Sequence, residues 1–235
     1  MVKEELVLEG NDIWVEGIPA TFATKGEKPW KNTLFNSLAF VENVDCDGIE
    51  LKFYLPSLVS SGHPLDVDNL CEPVFSTIVG RLGWFQGRRP NLRWWSTSKE
   101  EANQTGLRII LGDTVPVKWL SVSGELIFDS IYNGELPRKA TDPMVPKWIK
   151  DSNLVNQKDN DRFALQLMFG NPKLNIAEIA DGRVKNLIDC LYPILGGGSG
   201  TPEDWRIDSL LVQKGVSSLS QSSVRILIWR SGDSA

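Results

Sequence analysis

The sequence predicts an α+β protein made of two tandem units, each running strand, helix, strand, helix, strand, strand. Three observations carry this. Strand-length runs with apolar alternation of period two are interleaved with longer runs at helical spacing, the order of runs recurs in the second half, and marker residues recur at matching intervals. In the first half DIWVEG reads as a strand closed by a Gly-x-Pro turn at Gly17 and Pro19, and PWKNTLFNSLAFV as a helix opened by a proline. GIELKFYLP alternates as a strand, NLCEPVFSTIVGRL has the apolar face of a helix, and NLRWWSTSK and TGLRIIL form a closing hairpin across a polar loop.

The second half gives GELIFDSIYNG, a turn at Gly134 and Pro137, helix VPKWIKDSNLV, strand RFALQLMFG, helix VKNLIDCLYPIL, and strands WRIDSLLVQK and SVRILIW. Gly17 to Trp30 is 13 residues and Gly134 to Trp148 is 14, Leu92 to Lys99 and Ile207 to Lys214 are both 7, and Asn-Leu opens the second helix each time. We read a tandem duplication of a unit of about 110 residues, spanning 1–113 and 114–235 and joined through GDTVPVKW. A homodimer fused into one chain keeps its twofold relation. Trp30 and Trp148 are accordingly expected at equivalent buried places on the first helix of each unit. Strand alternation in NLRWW pairs Leu92 with Trp94 on one face and Arg93 with Trp95 on the other.

Composition excludes several classes. The chain has 235 residues, 41% hydrophobic and 23% charged, the profile of an ordinary globular protein. Its apolar runs are strand-sized, well short of the roughly eighteen residues of a membrane span. The acidic start MVKEELVLEGND has no signal-peptide core, so a cytoplasmic setting is expected. Cys46, Cys71 and Cys190 are widely spaced and accompanied by one histidine, His63, which favours free thiols over a zinc site or disulfide framework. A histidine-based triad is limited to His63, and no GxSxG accompanies it. Net charge is −5. Residues 1–113 carry 11 Lys and Arg against 16 Asp and Glu, while 114–235 carry 14 against 14. A protein that coats nucleic acid by bulk charge is excluded, because phosphate affinity rests on excess cations. A local cluster with aromatics remains in GRRPNLRWW, where Arg88, Arg89 and Arg93 suit a nucleic-acid backbone.

The stretch HPLDVDNLCEPV concentrates the chemistry. Asp66 and Asp68 sit at i and i+2 before a helix, so in an extended segment both carboxylates leave the same side of the chain. Paired carboxylates with waters and phosphate oxygens are the usual shell of Mg2+. A competing reading is helix capping, with Asn69 and Glu72 at capping-box spacing and the acids favouring the helix dipole.

With the repeat in view, the order of motifs resembles the RusA-type Holliday junction resolvases, homodimeric Mg2+-dependent DNA endonucleases. The first unit is similar at Gly17, Pro19, Trp30, LDVDNL and the strand ending at Lys99; the second at Gly134, Pro137, Trp148, Asn186-Leu187 and PEDWRIDSLLVQK. The resemblance implies two RusA-like units forming a pseudo-dimer. It also implies a role in DNA recombination or repair on branched or duplex DNA, with Asp66, Asp68, Lys99, Glu203 and Asp204 as catalytic candidates. Where the family has its acidic pair the first unit has Arg88 and Arg89, and where it has Asp-x-Asp the second has Arg183 and Lys185. Each unit thus lacks what the other keeps. The substituted cations, together with Arg93, are candidate nucleic-acid contacts. The expectation is a Mg2+-dependent structure-specific endonuclease or a degenerate relative, acting as a monomeric pseudo-dimer or homo-oligomer. The alternative is a non-catalytic DNA-binding or protein-interaction protein of the same fold.

Overall fold

The computed structural model describes residues 12–41, 44, 46–60, 63–120, 122, 124–152, 161–180 and 182–231. The acidic start, the side chain of His63 and the end of the helix expected over 145–155 lie outside the described residues. The first half contributes β1 (Asp12–Glu16), α1 (Glu27–Leu38), β2 (Gly48–Leu55), a ribbon of β3 (Val59–Ser60) and β4 (His63–Pro64), α2 (Val67–Ile78), β5 (Trp94–Glu101) and β6 (Gly106–Gly112). The second contributes β7 (Glu125–Asn133), α3 (Met144–Lys150), β8 (Arg162–Phe169), α4 (Arg183–Asp189), α5 (Tyr192–Leu195), a ribbon of β9 (Gly197–Gly198) and β10 (Thr201–Pro202), β11 (Ile207–Lys214) and β12 (Ser223–Ser231).

Eight strands form one continuous sheet in the order β1-β6-β2-β5-β11-β8-β12-β7. Its middle is an antiparallel seam in which β5 meets β11, with Ser98 opposite Ser209 and Trp94 opposite Gln213. Outward from the seam each side runs third strand, second strand, fourth strand, first strand of its half. In both, the pair next to the seam is parallel, β2 with β5 and β8 with β11, and the outer pairs are antiparallel. A parallel pair needs a crossover long enough to carry a helix, and α2 and α4 fall in those crossovers. The halves differ in detail: α1 has 12 residues and α3 has 7. The run read as one helix over VKNLIDCLYPIL is split into α4 and α5, because Pro193 has no N–H to donate back into the turn before it.

The helices share one core with one face of the sheet, drawing Leu34, Val74 and Phe75 from the first half and Leu187, Leu195 and Ile226 from the second. The opposite face carries a smaller cluster of Trp94, Trp119, Ala164 and Leu211, against which Val115, Val122 and Trp229 pack. The segment joining the halves therefore covers the back of the seam. Trp95 and Trp94 point to opposite faces and both are buried. Leu92 belongs with Trp95 and not with Trp94 as the alternation implied, because the chain runs through a 3-10 turn over Arg89–Asn91 and the strand starts only at Trp94. Trp95 Nε1 donates to the Ile176 carbonyl at 2.8 Å, a bond from one half to the other, and its ring meets Phe75 edge-on at 5.5 Å. Trp30 is buried against Gly17, where a Cβ would stand 3.1 Å from the indole. Trp148 is only half-buried, edge-on to Phe128 at 5.7 Å and beside Tyr132 at 5.1 Å. The shorter α3 leaves that indole less covered. Among the described residues no helix is long and apolar enough to cross a membrane.

These differences in burial set an expected order of stability. Trp95→Ala should lower unfolding free energy by roughly 3–5 kcal/mol, since a fully buried indole leaves a cavity and an unpaired carbonyl. Trp148→Ala should cost about half as much. Urea unfolding of the two variants checks the order, and equal losses would contradict it.

Candidate metal centre

A capping box of Asn69 and Glu72 does not describe the start of α2, although both acids do stand at the helix N-terminus, Asp66 as the N-cap residue and Asp68 in the first turn. The helix opens after Asp66, whose backbone is extended at φ −82° and ψ 132° and whose side chain makes no capping bond. Glu72 is held instead by Arg89, whose two terminal nitrogens donate to its oxygens at 2.7 Å each. Asp66 stays beside the helix start, accepting from Asn69 Nδ2 at 2.7 Å. Asp68 lies inside the first turn, buried at 2% exposure. The two acids converge, although only Asp66 is in extended chain.

The third acid comes from the other half. Asp204 begins the 3-10 turn Asp204–Arg206 that leads into β11, and β11 is the strand against which α2 packs across the seam. Oxygens of Asp66, Asp68 and Asp204 lie within 4.8 Å of one another. Neither half alone supplies this triad. Lys99, near the end of β5, donates from Nζ to the Leu65 carbonyl and, at 2.7 Å, to the Trp205 carbonyl. Leu65 precedes Asp66 and Trp205 follows Asp204, so one buried ammonium ties together the two segments that carry the acids. Lys214 makes the counterpart link on the other side of the seam, from Nζ to Pro90 O at 2.5 Å and Leu174 O at 2.8 Å.

Lys185, on α4, stands among the acids. Its Nζ lies 3.2 Å from Asp68, 3.0 Å from Asp189 and 2.5 Å from Asp204. Desolvation opposes the charge on this ammonium, yet Asp68, Asp204 and Asp189 outweigh it and raise its pKa well above the ordinary value. Burial, with Asp204 and Asp68 adding to it, pushes Asp66 up to about 7 against the pull of Lys185 and Lys99. Burial likewise raises Asp189 to about 6 and moves Asp204 upward. Lys99 is lowered to about 8, by burial first and then by Arg162. The cluster therefore holds more negative charge than its two lysines balance. Fully ionised, Asp66, Asp68, Asp189 and Asp204 against Lys99 and Lys185 would leave an excess of two, which the raised pKa of Asp66 and Asp189 lessens near neutral pH and which a divalent cation would meet. Asp68 Oδ2 is buried and makes no hydrogen bond, its charge being met by the Lys185 ammonium at 3.2 Å. Three converging hard oxygen donors in a cluster richer in acids than in bases fit Mg2+.

The remaining candidates are dispersed. Glu203 lies outside the triad, 42% exposed and paired with Arg206 at 3.2 Å. Arg89 is turned inward onto Glu72 and the Ala177 carbonyl. Arg88 is exposed, and Arg93 is 70% exposed beside Asp47 at 3.2 Å. Arg183 donates to the Leu136 carbonyl at 3.1 Å and lines a cavity of about 300 Å3 with Arg138 and Ser222. Asp189 was not singled out from the sequence, though its i, i+4 spacing from Lys185 was readable as a helix ion pair. No family model, curated protein or solved structure matches the chain.

The two linking lysines separate stability from site geometry. Lys99→Met should cost about 3 kcal/mol by leaving buried carbonyls unpaired, and should also weaken Mn2+ binding. Lys214→Met should destabilise to a smaller extent and leave Mn2+ binding unchanged. Denaturation curves and Mn2+ titrations on both variants make the comparison.

Proposed function

We propose that the chain is a Mg2+-dependent, structure-specific DNA endonuclease resembling the RusA-type Holliday junction resolvases, a single-chain pseudo-dimer with one composite centre. The observation that carries this reading is the convergence of Asp66 and Asp68 from one half with Asp204 from the other. In the resemblance each unit had lost complementary acids, and the triad brings together three of the four that remain, Glu203 staying outside it. The repeated strand order about the seam supports the same reading. In this reading Asp66, Asp68 and Asp204 hold the ion, and Lys99 positions the two segments that carry them. A bound Mg2+ would supply Lewis-acid activation of water and neutralise charge on the scissile phosphate. The exposed Arg88 and Arg93 would contact the backbone of branched or duplex DNA. Three free thiols go with a reducing, cytoplasmic setting.

A single centre per chain makes one nick per bound junction, so paired cuts require a second chain. The second reading, a DNA-binding relative without cleavage, is favoured by one observation, the Lys185 ammonium among the acids.

Incubation of labelled four-way junction and linear duplex with Mg2+ or EDTA tests both readings. Wild type should nick the junction in Mg2+ only. Asp66→Asn, Asp68→Asn and Asp204→Asn should each reduce nicking by about a hundred-fold or more, with salt-sensitive binding retained. Glu203→Gln should stay close to wild type. Binding without nicking in any divalent ion would support the second reading, and absence of binding at low salt would count against both.

A further inference from the structure

Lys185 occupies in the second half the place that Asp68 occupies in the first, directly before Asn-Leu in the opening turn of its helix. Across the seam these two positions meet, and because one is a base and the other an acid they meet as an ion pair of 3.2 Å. The same ammonium holds Asp204 at 2.5 Å and Asp189 at 3.0 Å. Asp68 and Asp204 are two of the three residues of the triad. Lys185 and a divalent ion would draw on the same carboxylates, at a distance where ammonium and metal repel one another strongly.

Three features distinguish this lysine from an ordinary surface partner. It is largely buried, its side chain 17% exposed. It reaches carboxylates from both halves, Asp68 on α2 and Asp204 before β11 as well as its own neighbour Asp189. Its contact with Asp68 Oδ2 is an ion pair of 3.2 Å without a hydrogen bond, whereas it hydrogen-bonds Asp204, so it meets the charge of Asp68 more than its bonding capacity.

We propose that Lys185 is a tethered counter-cation that stands in for metal charge in the acid cluster, holding it assembled in the metal-free protein and keeping its affinity for a divalent ion low and its occupancy at one. This rests on the reading of Asp66, Asp68 and Asp204 as metal ligands. Without the lysine the carboxylates of Asp68, Asp189 and Asp204 lose the one cation that touches all three. The acids then repel one another when metal is absent and bind metal more tightly when it is present. A lysine that only fixed α4 to α2 would leave metal affinity unchanged.

The test is Mn2+ binding without DNA, followed by electron paramagnetic resonance of free Mn2+ and by isothermal calorimetry, on wild type, Lys185→Met, Asp66→Asn and the double variant. Lys185→Met should bind Mn2+ at least about ten-fold more tightly than wild type. It should melt lower in EDTA and recover more of its melting temperature on adding Mn2+ than wild type does. Asp66→Asn should weaken binding in both backgrounds. If Lys185→Met does not fold in EDTA, Lys185→Gln keeps a donor for the carboxylates while removing the charge, and the same tightening is expected. Unchanged or weaker affinity in a folded variant, with Asp66-dependent binding in wild type, would overturn the role of Lys185 alone. No Mn2+ bound by wild type or by either Lys185 variant would overturn the metal reading beneath it.

Discussion

Antiparallel pairing of β5 with β11 is the contact on which the rest of the molecule depends. It joins two four-stranded halves into one sheet, and it brings the end of each central strand beside the turn that begins the other. Lys99 consequently reaches the Trp205 carbonyl, and Lys214 reaches the Pro90 carbonyl. Trp95 adds a bond from β5 to Ile176. With hydrogen bonds, a common apolar core and two lysines all crossing the same line, separating the halves would expose buried polar groups along with apolar surface.

The acid cluster is a consequence of that seam. α2 packs against both β5 and β11, so the acids at its start face the turn holding Asp204. Carboxylates brought together in a buried place cannot all remain charged without compensation. The molecule supplies part of it through Lys99 and Lys185, and the rest appears as the raised pKa of Asp66 and Asp189. Protons retained in this way are what a hard divalent ion would displace, whereas the arginine and glutamate of the first half, Arg89 and Glu72, already neutralise each other.

The proposed endonuclease and the proposed role of Lys185 meet in that charge balance. Losing one acid from a metal centre weakens it, and placing a base in the vacated position weakens it further. On the proposed reading, complementary losses in two halves would leave one centre with acids from both. On the same reading the lysine would lower ion affinity while sparing the metal-free fold a collection of uncompensated negative charges.

Periodicity made the order of helices and strands legible, because apolar alternation and helical spacing are local properties of the chain. The same local logic failed at boundaries where the chain leaves regular structure. Leu92 precedes the strand and so does not alternate with Trp94, and α4 stops at Asp189 with Pro193 in the first turn of a new helix, where the apolar pattern continued through. Asp66 and Asp68 were visible as a pair at a helix N-terminus, and only the capping box of Asn69 and Glu72 failed, because the helix begins earlier than Asn69. Asp204 was visible as an acid but not as a neighbour of that pair. Its position follows from the sheet order, which lets a turn before β11 meet the start of α2 although more than a hundred residues separate them in sequence. Lys185 read as a cation suited to phosphate; packing of α4 against the acids of the other half gave it carboxylate partners instead. Residue types and local repeats thus determined which groups were available. Only the strand pairing at the seam decided which of them share a low-dielectric pocket, because electrostatic coupling depends on distance in space and not along the chain.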